Sequence, residues 1–118
     1  MRFYLCTMRR DLKRKPTKAA AHVMRRFPAD FRTQWWASNF LTALVPIPGA
    51  VQRVRDVGGG ELVVSALRAH IAHASTAHTS CEALYSMLEA GLASSIDVEA
   101  AAFLAAAALQ THPSDKDV

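Results

Sequence analysis

PADFRTQWWASNFLTALVPIPG, residues 28–49, decides the fold class. Phe31, Trp35, Trp36, Phe40, Leu41 and Leu44 recur at the three- and four-residue steps of one helical face, and nothing in the stretch alternates apolar with polar as a half-buried strand does. Proline is favoured at the first helical position, so Pro28 is expected to open this helix. VPIPG must close it. Pro46 and Pro48 remove two backbone donors and bias Val45 and Ile47 toward extended geometry, while Gly49 takes a turn more easily than any other residue.

Outward from this stretch the helical pattern continues. Upstream, a helix is expected from about Thr17, with Pro16 just ahead of it, through Ala19, Ala20 and Ala21 to Phe27. Strand signals are confined to Phe3, Tyr4 and Leu5, too few to build a sheet. Downstream, AVQRVRDV places Val51, Val54 and Val57 on one side of a short helix and Arg53 and Arg55 on the other. Gly58-Gly59-Gly60 then reads as a hinge, because glycine loses the most backbone entropy on ordering.

Three further helices are expected. One spans about Glu61 to Ser75, with Val63, Leu67, His70, Ile71 and Ala74 on a face. The next is announced by Thr79-Ser-Cys-Glu82, which has the spacing of a capping box, and runs through Leu84, Met87 and Leu88 to Gly91. The last follows Ser94-Ser95, with Asp97 and Glu99 suited to its positive end, and continues through AAAFLAAAALQ. So little bulk around Phe103, Leu104 and Leu109 lets a neighbour approach closely, so this helix is expected in the core or in a homodimer contact. The expectation is an all-α fold, a small single-domain helical bundle with a basic N-terminal segment. Residues 1–16 form a basic arm, 17–112 the helical domain with the hinge at 58–60, and 113–118 a flexible tail.

Charge is distributed unevenly. Of the net +4, residues 1–59 hold twelve Lys and Arg against three Asp and Glu, whereas residues 60–118 hold two against seven. RRDLKRKPTKAAAHVMRR, residues 9–26, concentrates eight of these cations. The candidate binding residues are therefore Arg9, Arg10, Lys13, Arg14, Lys15, Lys18, Arg25, Arg26 and Arg32. Their chemistry fits a polyanion: each phosphate neutralised releases condensed counterions, and guanidinium groups fork onto phosphate oxygens or guanine edges. Basic runs also serve as solvated faces or dock on acidic proteins. Nucleic acid is the leading partner and an acidic protein surface the alternative.

Trp35 and Trp36 lie just beyond Arg32, where indoles beside cations offer stacking to bases. The competing use is packing: adjacent residues point about a hundred degrees apart on a helix, so one indole can be buried while the other sits at an edge. A DNA-reading helix-turn-helix is rejected at GLASSI, because the helix that follows begins IDVEAAAFL, acidic and then apolar. Between Arg32 and Arg53 the chain carries no charge, and tryptophans stand near one end, so a peripheral, anionic-membrane role is a further alternative. The polar residues and prolines inside this stretch make it poor as a spanning helix.

His70, His73, His78 and Cys81 offer metal-ligand atoms, but their spacing matches no established zinc module, and no metal is expected. No cofactor motif is present, since Gly58-Gly59-Gly60 lacks the lysine and hydroxyl of a phosphate-binding loop. Cys81 has no local base held by a third group, and Asp97 and Glu99 point to different helix faces, so no enzyme activity is expected. Cys6 and Cys81 read as free thiols of a cytoplasmic protein, because MRFYLCTMRR is too short in apolar residues for a signal peptide. The expected function is that of a small, non-catalytic binding protein in an accessory or regulatory role, or, alternatively, of a protein-binding inhibitor or adaptor.

Overall fold

A computed structural model of the chain describes residues 16–93 and 96–112. Within them lie six α-helices and no strand: α1 (Pro16–Arg26), α2 (Phe31–Leu44), α3 (Ala50–Asp56), α4 (Gly59–Ala69), α5 (Ala74–Glu89) and α6 (Val98–Thr111). The all-α expectation holds. Strand signals at Phe3, Tyr4 and Leu5, the basic arm before Pro16, and the tail at 113–118 lie outside the described residues.

All six helices contribute to one apolar core. Its fully buried members include Leu41 of α2, Val54 of α3, Val63 and Leu67 of α4 and Met87 of α5. The most extensive packing is between α2 and α5, and both bury small residues: Ala37 and Ser38 on one, Ala77, Ser80 and Ala83 on the other. Small side chains let two helix axes approach, which explains how a chain with few large core residues still closes a core.

Several boundaries differ from the sequence expectation, each for a local reason. Pro28 does not open α2; it sits in the preceding turn, and Asp30 caps the helix. Asp30 Oδ1 accepts from the Arg32 N–H at 3.0 Å, satisfying one of the orphan donors that every helix start leaves. The helix expected over Glu61 to Ser75 ends at Ala69, because the chain turns through 70–73. The capping box at Thr79-Ser-Cys-Glu82 does not cap: Thr79 is buried in mid-helix, and α5 is capped six residues earlier by His73, Nδ1 accepting from the Thr76 N–H at 3.3 Å. Glu82 instead pairs with His78 at 3.1 Å.

Other ends fall where expected. α2 stops at Leu44, ahead of VPIPG. At the end of α5, Gly91 adopts φ +94°, its N–H bonds the Leu88 carbonyl at 3.1 Å, and the Leu92 N–H bonds the Met87 carbonyl at 3.0 Å. These two bonds make a Schellman cap, with Leu92 buried behind it. Asp97 caps α6 through the Ala100 N–H at 3.0 Å.

The glycine run at 58–60 is packed. Gly58 turns the chain at φ +72°, and Gly59 and Gly60 begin α4 as buried residues. A Cβ on Gly59 would stand 2.7 Å from Val54 Cγ1 and 3.1 Å from the Val54 carbonyl oxygen, so this glycine is where α3 and α4 touch backbone to backbone. The Ala-rich helix reaches the core through Ala101, Leu104 and Ala108, whereas Phe103 is 74% exposed and Leu109 is exposed as well, so Phe103 is not a core residue.

Candidate functional site

The described cations outside α4 divide between α1, α2 and α3. On α1, Thr17, Ala19, Ala20, Ala21, Val23 and Met24 are buried, and the side chains left to solvent are Lys18, His22, Arg25 and Arg26. These four fall on one strip because residues four and seven or eight apart share a helix face. From Lys18 to Arg26 the strip runs about 12 Å. His22 is absent from the sequence candidates, although its spacing from Lys18 and Arg26 places it there.

The helix is held so that this strip stays outward. The Gln34 side chain of α2 is buried and donates from Nε2 to the Met24 carbonyl at 3.1 Å and the Phe27 carbonyl at 3.0 Å, satisfying two acceptors at the end of α1. Arg25 Nη2 donates to the Val57 carbonyl and lies against Gly58, tying α1 to the α3–α4 turn. Arg25 is thus committed partly to structure, whereas the side chains of Lys18 and Arg26 make no hydrogen bond or ion pair among the described residues. Arg9, Arg10, Lys13, Arg14 and Lys15 lie outside those residues.

Arg32 belongs to a second surface, the outer side of α2. Its guanidinium sits 5.7 Å from the Phe31 ring centroid. Phe31 and Trp35 are exposed, while Trp36 and Phe40 are half-buried and stack on each other with centroids 5.4 Å apart. One indole is therefore at the edge of the core and the other in solvent. On α3, Arg53 is exposed, and Arg55 donates to Gln52 Oε1 at 2.9 Å and to the Gly91 carbonyl at 3.3 Å.

Among the described residues, no acidic group pairs with these cations. Between residues 12 and 55 the sequence contains one acid, Asp30, and both of its carboxylate oxygens are engaged at the start of α2, by the Arg32 N–H and the Thr33 hydroxyl, each at 3.0 Å. Among the described residues no carboxylate pairs with a lysine or arginine; the one ion pair is His78 with Glu82.

The histidines and Cys81 do not form a metal centre: among the described residues no three His, Cys, Asp or Glu side chains converge. Each has a separate role. His70 Nε2 reaches the Pro28 carbonyl at 2.8 Å, His73 caps α5 with its ring 4.1 Å from that of Phe31, and His78 meets Glu82. His112, at the end of α6, reaches the Ile71 carbonyl at 2.8 Å. The turn at 70–73 is thereby pinned by three imidazoles. Cys81 is half-buried, and burial pushes its thiol pKa up, away from the thiolate a nucleophile or ligand needs.

No helix among the described residues is long and apolar enough to cross a membrane; the uncharged stretch is split between α2 and α3. The chain matches no protein-family model, no curated protein and no solved structure.

Proposed function

We propose that the protein is a non-catalytic binding protein whose basic N-terminal half engages nucleic acid in an accessory or regulatory role. The observation that carries this reading is α1, whose solvent side over 17–26 is made only of Lys18, His22, Arg25 and Arg26. A helix face serving solubility alone mixes signs and gains from acid–base pairs one turn apart. This face has no acid at all. Duplex DNA presents a phosphate about every 1.7 Å of its axis, so a strip about 12 Å long meets several at once. The arm residues Arg9, Arg10, Lys13, Arg14 and Lys15 continue the same charge in sequence.

The test is fluorescence anisotropy of the full chain with a mixed-sequence duplex over a salt series. Lys18→Gln with Arg26→Gln should leave the circular dichroism spectrum unchanged, since both side chains are exposed. The slope of log affinity against log salt should shrink by about 0.9 for each phosphate that the variant no longer neutralises. Sequence preference should not change, because phosphate contacts position without specifying. Absence of salt-sensitive binding to DNA or RNA near physiological salt would overturn the reading. Equal binding to polyglutamate would transfer the strip to an acidic protein partner, as an adaptor or inhibitor would use it.

A further inference from the structure

The outer side of α2 carries a second pattern, in which a cation stands in line with an exposed indole and an amide. Along it lie Arg32, then Trp35 three residues on, then Asn39 four beyond that, which places the three side chains on one line. Trp35 is 41% exposed and has no ring partner among the described residues, in contrast with Trp36, which Phe40 covers. Asn39 is half-buried, and its side-chain amide has no hydrogen-bond partner among them. No acid other than Asp30 lies within the surrounding sequence from 12 to 55, and Asp30 is occupied at the helix start.

Cation, exposed indole and unpartnered amide correspond to phosphate, base face and base edge. Resting on the nucleic-acid reading above, we infer that this surface of α2 selects single-stranded over duplex nucleic acid, with Trp35 as the stacking platform, Arg32 on a phosphate and Asn39 on a base edge. An unpaired base offers a free π face to an indole. In a duplex both faces are already covered by neighbouring base pairs, so Trp35 gains nothing there and only the cations contribute. A lipid surface fits less well, because a membrane-lying helix wants an unbroken apolar side, and here Arg32 and Asn39 interrupt the rings.

The experiment compares binding of an oligo-thymidine single strand and a duplex of equal length by the full chain, wild type, Trp35→Leu and Trp35→Phe. Expected is a loss on the order of tenfold in single-strand affinity for Trp35→Leu, smaller for Trp35→Phe, which keeps a π face, with duplex affinity unchanged. In a Trp36→Phe background, leaving Trp35 as the sole indole, the single strand should quench tryptophan emission and the duplex should not. If both ligands bind and Trp35→Leu affects neither, or both equally, the inference fails while the phosphate-binding reading stands. If neither ligand binds, that reading fails and takes the inference with it. Quenching by phosphatidylglycerol vesicles but not by the oligonucleotide would overturn it in favour of a membrane.

Discussion

Gly59→Ala places one methyl group where α3 meets α4. The new Cβ would stand 2.7 Å from Val54 Cγ1 and 3.1 Å from the Val54 carbonyl oxygen, against an optimal carbon–carbon separation of about 3.5–4.0 Å. Neither contact yields easily. Val54 is fully buried and β-branched on a helix, so its rotamer is fixed, and the second contact is with backbone. Overpacking of this kind costs about 1–3 kcal/mol. Loss of glycine freedom in the unfolded chain offsets about 0.4–1 kcal/mol. The net expectation is a destabilisation of about 1–2 kcal/mol, read as a lower urea midpoint at unchanged slope in far-UV circular dichroism. Val54→Ala alone should cost about 2 kcal/mol through its cavity. Combined with Gly59→Ala it should cost less than the two separately, by about 1 kcal/mol, because the new methyl occupies space that Val54 vacates. An alanine at 59 that leaves stability unchanged or raises it would refute the close-packing argument.

Gln34→Leu should destabilise by about 1–3 kcal/mol in urea denaturation, since the Met24 and Phe27 carbonyls lose their buried donor; a neutral result would mean that water replaces the amide there. Phe103→Asp should change stability by no more than about 0.5 kcal/mol, whereas Leu104→Ala should cost about 2 kcal/mol or more, and a reversed order in melting experiments would contradict the orientation of α6. For Cys81, burial disfavours the thiolate and raises the folded-state pKa. Its contribution to stability is therefore full below the unfolded thiol pKa and is lost as pH rises through the folded value. In a Cys6→Ser background, the iodoacetamide reaction of Cys81 should titrate with a midpoint above the ordinary thiol value of about 8.5; a midpoint at or below it would refute the desolvation argument.

Helical periodicity makes the elements legible, because spacing is a local property: Phe31 through Leu44 admit no other reading, and α3 and α6 fall where their residues place them. Caps are less legible. Asp30 competes with Pro28, which is also a good helix opener, and Thr79-Ser-Cys-Glu82 has the right residues in the middle of a helix. Whether such a motif caps depends on where the preceding turn falls. That turn is set by His70 and His112 reaching carbonyls about forty residues away in sequence, partners that no local window contains. Of the candidate cations, Lys18, Arg25 and Arg26 are collected on one face as helical spacing allows. The tie from Arg25 to Val57, and the exposure of Trp35, depend on tertiary packing and leave no trace in the sequence.

The cations left without acidic partners have an electrostatic consequence. Residues 16–112 contain seven Lys and Arg and seven Asp and Glu, so the helical body has no formal net charge, and the +4 of the whole chain arises outside it. Its charges are unevenly shared among the helices all the same. α1 carries three of the cations and packs on α2, α3 and α4, whereas α6, with Glu99 and the capping Asp97, packs on α4 and α5. A neutral but polarised object feels little net pull from a distant polyanion and instead a torque that turns its positive pole to face it. On the nucleic-acid reading proposed above, the cations outside the body would supply the attraction and α1 the alignment, so replacing Arg9, Arg10, Lys13, Arg14 and Lys15 with glutamine should slow encounter.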